Sequence, residues 1–334
     1  MKKNLMILIL ILISLDMSGE GVIKLGIIGL DTSHATAFIK SINDNEKKEK
    51  EFENFRVVAA YPYGSKTIES SARRIPEYTE TAKKSGVEIV NSISELLEKV
   101  DYVLLETNDG RLHLDQALEV FKSGKPVFID KPIAASLADG IAIYKLADIY
   151  KIPVFSASSL RYNPETEAVK RGEYGKVLAA DCYSPATRES THSDFFWYGV
   201  HGVEILFSVM GTGCSTVQCV ATENQDVAVG IWEDNRIGTF RGTLKGVHDY
   251  GGTAFCEKKN VPAAKYEGYD DLLKEVLKFF ITKTPPVSAK ETLEIFTFME
   301  AASVSKKNGG KPVKLSDIYS EAEKKADEIV KSKK

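Results

Sequence analysis

The stretch PVFIDKP, residues 126–132, decides how the first half of the chain folds. An apolar run of β-branched and aromatic residues is typical of a buried strand, and Pro132 ends it because proline cannot donate to a ladder. Asp130 and Lys131 stand directly at that end. In open α/β sheets ligands bind at the carboxyl ends of strands, so the pattern predicts that Lys131 points into a ligand crevice. A lysine in a surface loop is the alternative.

The segments around this stretch alternate between strands and helices. Further apolar strands are predicted at residues 22–29, 56–61, 87–90, 101–106 and 152–157, with helical segments between them. Alternation of this kind predicts a parallel, doubly wound sheet with right-handed crossovers, which is the architecture of a Rossmann domain. We assign residues 20–157 to this dinucleotide-binding domain.

The second half of the chain follows a different pattern. Short strands succeed one another there, at residues 177–183, 216–221, 227–233, 237–242 and 253–257. Consecutive strands with short turns predict an open, mainly antiparallel sheet. Helices are predicted at residues 199–210, 270–282, 288–306 and 316–332. The predicted fold class is therefore α/β, with an N-terminal Rossmann domain and a C-terminal α+β substrate domain at residues 158–334.

Composition excludes several classes of partner. The formal net charge of −3 offers no basic field for nucleic acid and no polybasic patch for a membrane surface. The cysteines lack the spacing of a zinc site, and no metal site is predicted. We interpret them as four buried thiols that serve as small apolar residues, and pairing as disulfides in an exported protein is the alternative. These cysteines are Cys182, Cys214, Cys219 and Cys256.

The amino terminus has the pattern of a targeting segment. Lys2 and Lys3 precede the apolar run Leu5–Leu15, which is too short to span a bilayer but matches the core of a secretory signal peptide. Residues 1–19 are therefore predicted to be a signal peptide, and the mature protein is expected to be periplasmic or secreted, without a stable membrane anchor. The alternative is translation from Met17 and a cytoplasmic protein.

The first strand ends in a turn with part of a dinucleotide-binding motif. Gly29 ends the strand, and the next residues offer capping oxygens to a helix. If Gly29 is the first glycine of G-x-G-x-x-G, Asp31 and His34 replace the second and third. A carboxylate at Asp31 would repel a bound pyrophosphate. The candidate cofactor contacts in this turn are Gly29, Asp31, Thr32 and Ser33.

The end of the second strand bears on the choice of nicotinamide cofactor. An NAD site needs an acid there for the ribose hydroxyls, and the segment Tyr61–Lys66 contains none. Ser65 and Lys66 suit the 2′-phosphate of NADP better. These residues predict a weak preference for NADP over NAD, with Asp31 lowering the affinity for both.

Three segments resemble the Gfo/Idh/MocA oxidoreductases, which are sugar and inositol dehydrogenases with a Rossmann domain and an open-sheet domain. Leu118–Pro132 resembles the family's helix, strand and acid-Lys-Pro motif, and His113 matches a histidine at the head of that helix. Tyr198–Glu204 is similar to its G-x-H-x-x-D helix, with Glu204 as the acid. Ala289–Val313 is similar to its carboxyl-terminal helix and last strand.

This resemblance, which extends over residues 23–313, implies where the chemistry occurs. In the family a lysine and a histidine flank the sugar carbon that loses hydride, and the matching residues are Lys131 and His201. The chemistry needs a base for the hydroxyl proton and a cation for the developing charge. Without the resemblance, His201 would be interpreted as a core or capping histidine. The further implied cofactor contacts are Asn108, His113, Asp130 and Lys131.

Other residues are candidate substrate contacts. Arg161 begins the family's Arg-x-x-Pro segment, and a structural ion pair is its alternative role. Trp197 stands where the family usually has a substrate-binding aspartate. Trp197 and Tyr198 belong to an aromatic cluster that would either stack on a sugar ring or fill a domain interface. The candidate substrate contacts are Arg161, Trp197, Tyr198 and Glu204.

Two functional hypotheses follow. The first is an NAD(P)-dependent oxidoreductase that acts on a sugar, sugar derivative or related polyol by hydride transfer, with Lys131 and His201 at the reacting carbon. The alternative is an exported, non-catalytic sugar-binding protein that has lost cofactor binding. Under both hypotheses the partner is a small sugar-like molecule, and the resemblance implies a homo-oligomer formed through the second-domain sheet.

Overall fold

The computed structural model describes residues 21–44 and 49–334. The predicted signal peptide, residues 1–19, lies outside the described residues. Within the described ranges, no helix combines the length and the apolar character that a membrane span requires.

The first sheet has six parallel strands among the described residues. They are β1 (Ile23–Ile28), β2 (Phe55–Tyr61), β3 (Glu88–Ile89), β4 (Tyr102–Leu105), β5 (Val127–Ile129) and β6 (Val154–Phe155). Their order, β3-β2-β1-β4-β5-β6, confirms the predicted Rossmann sheet. The order reverses between β1 and β4, and sheets of this kind bind ligands in the crevice at that point.

Helices pack on both sides of this sheet. They are α1 (Ser33–Asn43), α2 (Glu69–Lys84), α3 (Ile93–Leu97), α4 (Gly110–Lys122) and α5 (Leu137–Tyr150). Side-chain caps begin four of them, namely Thr32 for α1, Ser92 for α3, Asp109 for α4 and Ser136 for α5. α4 begins at Gly110 because Asp109 accepts a hydrogen bond from the backbone N–H of Arg111.

The second sheet has seven strands among the described residues. They are β7 (Val177–Pro185), β8 (Cys214–Ala221), β9 (Gln225–Trp232), β10 (Ile237–Thr243), β11 (Gly251–Cys256), β12 (Asn260–Pro262) and β13 (Val313–Lys314). Only β7 and β10 pair in parallel, which confirms an open, mainly antiparallel sheet. The sequence pattern missed β12 and β13 because such short strands show no alternation.

The helices of the second half serve both domains. They are α6 (Pro164–Lys170), α7 (Val200–Met210), α8 (Asp270–Thr282), α9 (Ala289–Lys307) and α10 (Leu315–Lys333). α7 and α9 pack on the second sheet, whereas α10 packs against α5. α8 joins the core of the first domain, where the ring centroids of Phe279 and Phe155 are 4.8 Å apart. Late segments of the chain therefore complete the Rossmann core.

The four cysteines are free thiols in the second half of the fold. Each is buried, and none forms a disulfide. Burial raises the pKa of Cys219 to about 11, so its thiol stays protonated. These side chains act as small apolar residues. They are Cys182, Cys214, Cys219 and Cys256.

Candidate active site

A cavity of about 270 Å³ lies between the two domains, at the carboxyl ends of the first sheet's strands. The first domain contributes Thr32, Ser33, His34, Arg74, Asn108 and Lys131 to its walls. The second domain contributes Ser159, Leu160, Tyr198, His201, Tyr250, Tyr266 and Tyr269. The residues predicted from the sequence that meet here are Thr32, Ser33, Asn108, Lys131, Tyr198 and His201.

Lys131 reaches the cavity because it is the second residue after β5, next to the buried Asp130. Its Nζ atom lies 3.8 Å from Asp130 Oδ2. Burial opposes ionisation of the Asp130 carboxyl, but His34 and Lys131 outweigh this effect and hold the pKa of Asp130 below its usual range. The charged carboxylate therefore holds the ammonium group of Lys131 at the cavity wall.

His201 enters the cavity from the first turn of α7. Its Nδ1 atom lies 2.8 Å from Ser158 Oγ, and this hydrogen bond fixes the ring. Burial, together with Lys131 and His34 nearby, holds the pKa of His201 well below its usual range. The imidazole is therefore neutral at neutral pH, which is the state that a general base needs.

His34 and Glu106 add a buried group of polar side chains that the sequence analysis did not assign. His34 Nδ1 lies 3.0 Å from Asp130 Oδ1 and 3.9 Å from Glu106 Oε2. Burial and the neighbouring Asp130 raise the pKa of Glu106 well above its usual range. Both residues are visible in the sequence as anomalies, because His34 replaces a glycine and Glu106 ends an apolar strand. Their closeness to Asp130 arises only in the folded sheet.

The altered glycine turn is held by close contacts. Gly29 has a φ of +93°, and a Cβ there would lie 2.6 Å from the backbone of Thr107, so glycine is required. The Asp31 carboxylate accepts hydrogen bonds from Ser71 Oγ and, at 3.1 Å, from the backbone N–H of Asn108. It is fully buried, and burial raises its pKa. The Asp31 carboxylate therefore has donors within the fold, and its predicted contact with a pyrophosphate stays a prediction.

A second cavity, of about 510 Å³, opens at the end of β2, the strand end that binds the ribose in dinucleotide folds. Ser65, Lys66 and Arg111 are among its walls. Arg111 is engaged by Asp109, with Nη2 and Oδ2 2.6 Å apart. Ser65 Oγ accepts a hydrogen bond from the backbone N–H of Ile68 at 3.2 Å. Lys66 is exposed and, within the described residues, has no ion-pair partner, so it is available to an anionic ligand.

His113 has a structural position. It is fully buried. Its Nε2 lies 2.6 Å from the backbone oxygen of Thr107, and its Nδ1 lies 3.2 Å from that of Ile133. The ring thus joins the turn after β4 to the turn after β5, and both nitrogens have partners within the fold. The predicted cofactor contact of His113 stays a prediction.

Three of the predicted substrate contacts are also structural. Arg161 Nη1 lies 2.7 Å from Glu204 Oε2, and Arg161 Nη2 contacts Glu291 on α9. Trp197 packs on His192, with ring centroids 4.9 Å apart. Among the described residues, the cavity walls include Tyr198 but not these side chains. Arg161, Glu204 and Trp197 thus have partners within the fold, and their predicted substrate contacts stay predictions.

A family model decides which proteins this chain is related to. Residues 23–157 match the GFO_IDH_MocA model, described as "Oxidoreductase family, NAD-binding Rossmann fold". That domain belongs to the Gfo/Idh/MocA family. The family is thus one of NAD-binding oxidoreductases, and the match covers the domain that carries Lys131. No curated protein matches this chain by sequence.

Solved structures share the fold over most of this chain. A protein from Thermotoga maritima described as a probable dehydrogenase has a TM-score of 0.71 and 20% identity, covering 89% of this chain and 100% of that chain. A scyllo-inositol dehydrogenase from Lactobacillus casei with bound NAD(H) and scyllo-inositol has a TM-score of 0.70 and 14% identity. The match covers 88% of this chain and 99% of that chain. A myo-inositol 2-dehydrogenase from Lactobacillus plantarum has a TM-score of 0.70 and 15% identity, with 87% and 99% covered. At these identities the likeness shows the fold.

Proposed function

We propose that this Gfo/Idh/MocA protein is an NAD(P)-dependent oxidoreductase that transfers hydride to or from a hydroxyl-bearing carbon of a polyol, sugar or sugar derivative. The observation that supports this most strongly is that Lys131 and His201 line one cavity from two different domains. A binding protein would need neither group. The inositol dehydrogenases that share the fold favour a polyol ring as the substrate class.

The chain offers two places for parts of a nicotinamide cofactor. Thr32 and Ser33, at the N-terminus of α1, line the cavity together with Arg74 and suit a pyrophosphate, because helix N-termini attract anions. Lys66 at the second cavity suits the 2′-phosphate of NADP, which is the form we favour. When bound, the nicotinamide ring supplies the acceptor or donor of the hydride.

His201 and Lys131 divide the proton and charge chemistry between them. Neutral His201 takes the proton of the substrate hydroxyl as hydride leaves, and Ser158 keeps its ring oriented. Lys131 stabilises the negative charge that develops on the substrate oxygen. In the reverse direction, His201 returns the proton. A positioned acid–base group of this kind contributes about 10²–10⁴-fold to the rate.

The cavity walls suit a small hydroxylated ring. Four tyrosines line the cavity, and each offers an aromatic face for stacking and a hydroxyl group for hydrogen bonds. Asn108 adds an amide at the first-domain side. The tyrosines are Tyr198, Tyr250, Tyr266 and Tyr269.

We further propose that the protein is exported and forms a homo-oligomer through the second sheet. Ile231 and Ile237 are cross-strand neighbours on β9 and β10 and are 43% and 49% exposed, so apolar surface is open on this sheet. The Lys2-Lys3 start and the following apolar run motivate export. Light scattering of the purified protein tests the oligomer. Amino-terminal sequencing of the native protein tests removal of residues 1–19.

Nicotinamide binding and turnover test the proposed activity together. Purified protein is titrated with NADPH and NADH while nicotinamide fluorescence is followed, and then assayed with NADP and NAD against a panel of inositols and aldoses. We expect saturable binding and turnover on at least one polyol or sugar. Sugar binding without nicotinamide binding would instead support the non-catalytic alternative.

A further inference from the structure

Three buried side chains from distant parts of the sequence meet beside the cavity. His34 lies in the first turn of α1, Glu106 directly follows β4 and Asp130 directly follows β5. One ligand atom of each, His34 Nδ1 and a carboxylate oxygen from each acid, lies within 4.8 Å of the other two. We propose that this triad, His34, Glu106 and Asp130, binds a divalent transition-metal cation.

The polar atoms of the triad lack the partners that buried groups normally have. Among the described residues, His34 Nδ1 and both oxygens of each carboxylate make no hydrogen bond. His34 Nδ1 approaches Asp130 Oδ1 to 3.0 Å, yet the two atoms are not aligned for a hydrogen bond. Two buried carboxylates without donors are costly, and a cation bound by all three side chains would offset that cost.

Other buried acids in the same fold have donors. Asp31 accepts hydrogen bonds from Ser71 and from the backbone of Asn108. Glu204 pairs with Arg161 at 2.7 Å. The triad differs because its nearest cationic side chain, Lys131, stays 3.8 Å from Asp130 Oδ2 and carries one positive charge against two carboxylates. A divalent cation bound by the two carboxylates and a neutral imidazole would balance both negative charges.

The two separations measured from His34 Nδ1 fit a metal centre. Ligand atoms bonded at about 2.1 Å lie about 3.0 Å apart at right angles and about 4.2 Å apart when opposite. The separations of 3.0 and 3.9 Å from His34 Nδ1 fall in this range. One imidazole and two carboxylates form a mixed nitrogen and oxygen set, which suits Zn²⁺, Mn²⁺ or Fe²⁺ better than Mg²⁺ or Ca²⁺.

The cavity gives the triad a route to solvent. His34 and Lys131 line its wall, so an ion can reach the ligand atoms from the space that also holds His201. No metal site is predicted from the sequence, because rules on residue spacing recognise only metal ligands that lie close together in a motif. Here the three ligands are separated by whole strands and helices and meet only at the sheet's carboxyl edge.

Metal binding by the full chain, without an affinity tag, tests the proposal. Protein stripped with a chelator is titrated with Zn²⁺, Mn²⁺ and Co²⁺ by calorimetry, and bound metal is counted after dialysis. We expect one equivalent of at least one cation to bind and to raise the melting temperature with increasing concentration. The Co²⁺ spectrum should show nitrogen and oxygen ligation, without the thiolate bands that the cysteines would produce.

Matched variants assign the site. His34→Gln and Glu106→Gln should each weaken binding at least about tenfold. Asp31→Asn, a change to a buried carboxylate outside the triad, should bind as the unchanged protein does. Failure of the unchanged chain to bind any of the three cations, or unweakened binding by both triad variants, would overturn the proposal. Nicotinamide and polyol are absent from these titrations, so a negative result leaves the proposed oxidoreductase activity standing.

Discussion

Ser158 Oγ lies 2.8 Å from His201 Nδ1, so a residue just after the Rossmann sheet orients the histidine that the second domain presents to the cavity. We expect Ser158→Ala to lower kcat about 2–10-fold, because a net hydrogen bond is worth about 0.5–1.5 kcal/mol. KM should change little, since the substrate is not contacted. Steady-state kinetics on the best polyol measure this effect.

Two further variants separate orientation of His201 from general damage. Ser158→Thr keeps a hydroxyl and should recover most of the lost kcat. Ser208→Ala removes another buried hydroxyl, on α7, that donates to the backbone oxygen of Ile205 at 2.7 Å and should leave kcat unchanged. An equal loss of kcat in Ser208→Ala would contradict a specific role for Ser158.

Because Arg161 and Glu204 form a buried ion pair, we expect replacement of Arg161 to lower the stability of the protein rather than to weaken substrate binding. Both side chains are almost fully buried, so Arg161→Met leaves a buried carboxylate without its partner. Breaking such a pair typically costs about 3–5 kcal/mol. Urea denaturation should show this loss, whereas exposed Arg171→Met should change stability by less than about 0.5 kcal/mol. A stable Arg161→Met protein with a raised KM would instead support a contact between Arg161 and the substrate.

Strand periodicity made the fold predictable, and the positions of the strand ends made Lys131 predictable as a residue of the candidate site. The alternation before residue 158 identified the Rossmann sheet, and the rule that ligands bind at carboxyl ends located Lys131. The family resemblance added His201. Arg74 and the tyrosines Tyr250, Tyr266 and Tyr269 reach the cavity from segments without a diagnostic motif, so no sequence pattern marked them.

Several of the predicted contact residues have partners inside the fold. Polar residues near a motif are interpreted as ligand contacts, although most buried polar groups are hydrogen-bonded within their own fold. Asp31, His113 and Arg161 all use their polar atoms in this way. Glu106 is the opposite case, because its buried carboxyl oxygens accept no hydrogen bond from the described residues.

The position of Lys66 leads us to predict a preference for NADPH over NADH. Its exposed ammonium lines the second cavity without an ion-pair partner among the described residues, and Tyr61–Lys66 holds no acid for a ribose diol. Lys66→Ala should weaken NADPH binding several-fold and leave NADH binding nearly unchanged, because only NADPH carries the 2′-phosphate. Fluorescence titrations with both forms measure the difference. Equal losses for the two forms would contradict this contact.

The lowered pKa of His192 leads us to predict that the fold loses stability in acid. Burial, with Arg111 and His113 nearby, lowers its pKa to about 4, although Asp109 opposes the shift. The unfolded chain binds this proton at about pH 6.5 and the folded chain only near pH 4, so stability falls as the pH decreases between these values. His192→Gln should flatten this fall in denaturation curves recorded across the window. An unchanged slope would mean that other groups carry the acid sensitivity.

The central claim is that Lys131 and His201 act together on one substrate across the cavity. Turnover of Lys131→Ala, His201→Ala and the double variant, set beside their melting temperatures, tests it most directly. Each single variant should lose about 10²–10⁴-fold in kcat while staying folded, and the double variant should be little worse, because residues that act as a unit give non-additive losses. A folded His201→Ala protein with full turnover would contradict the claim.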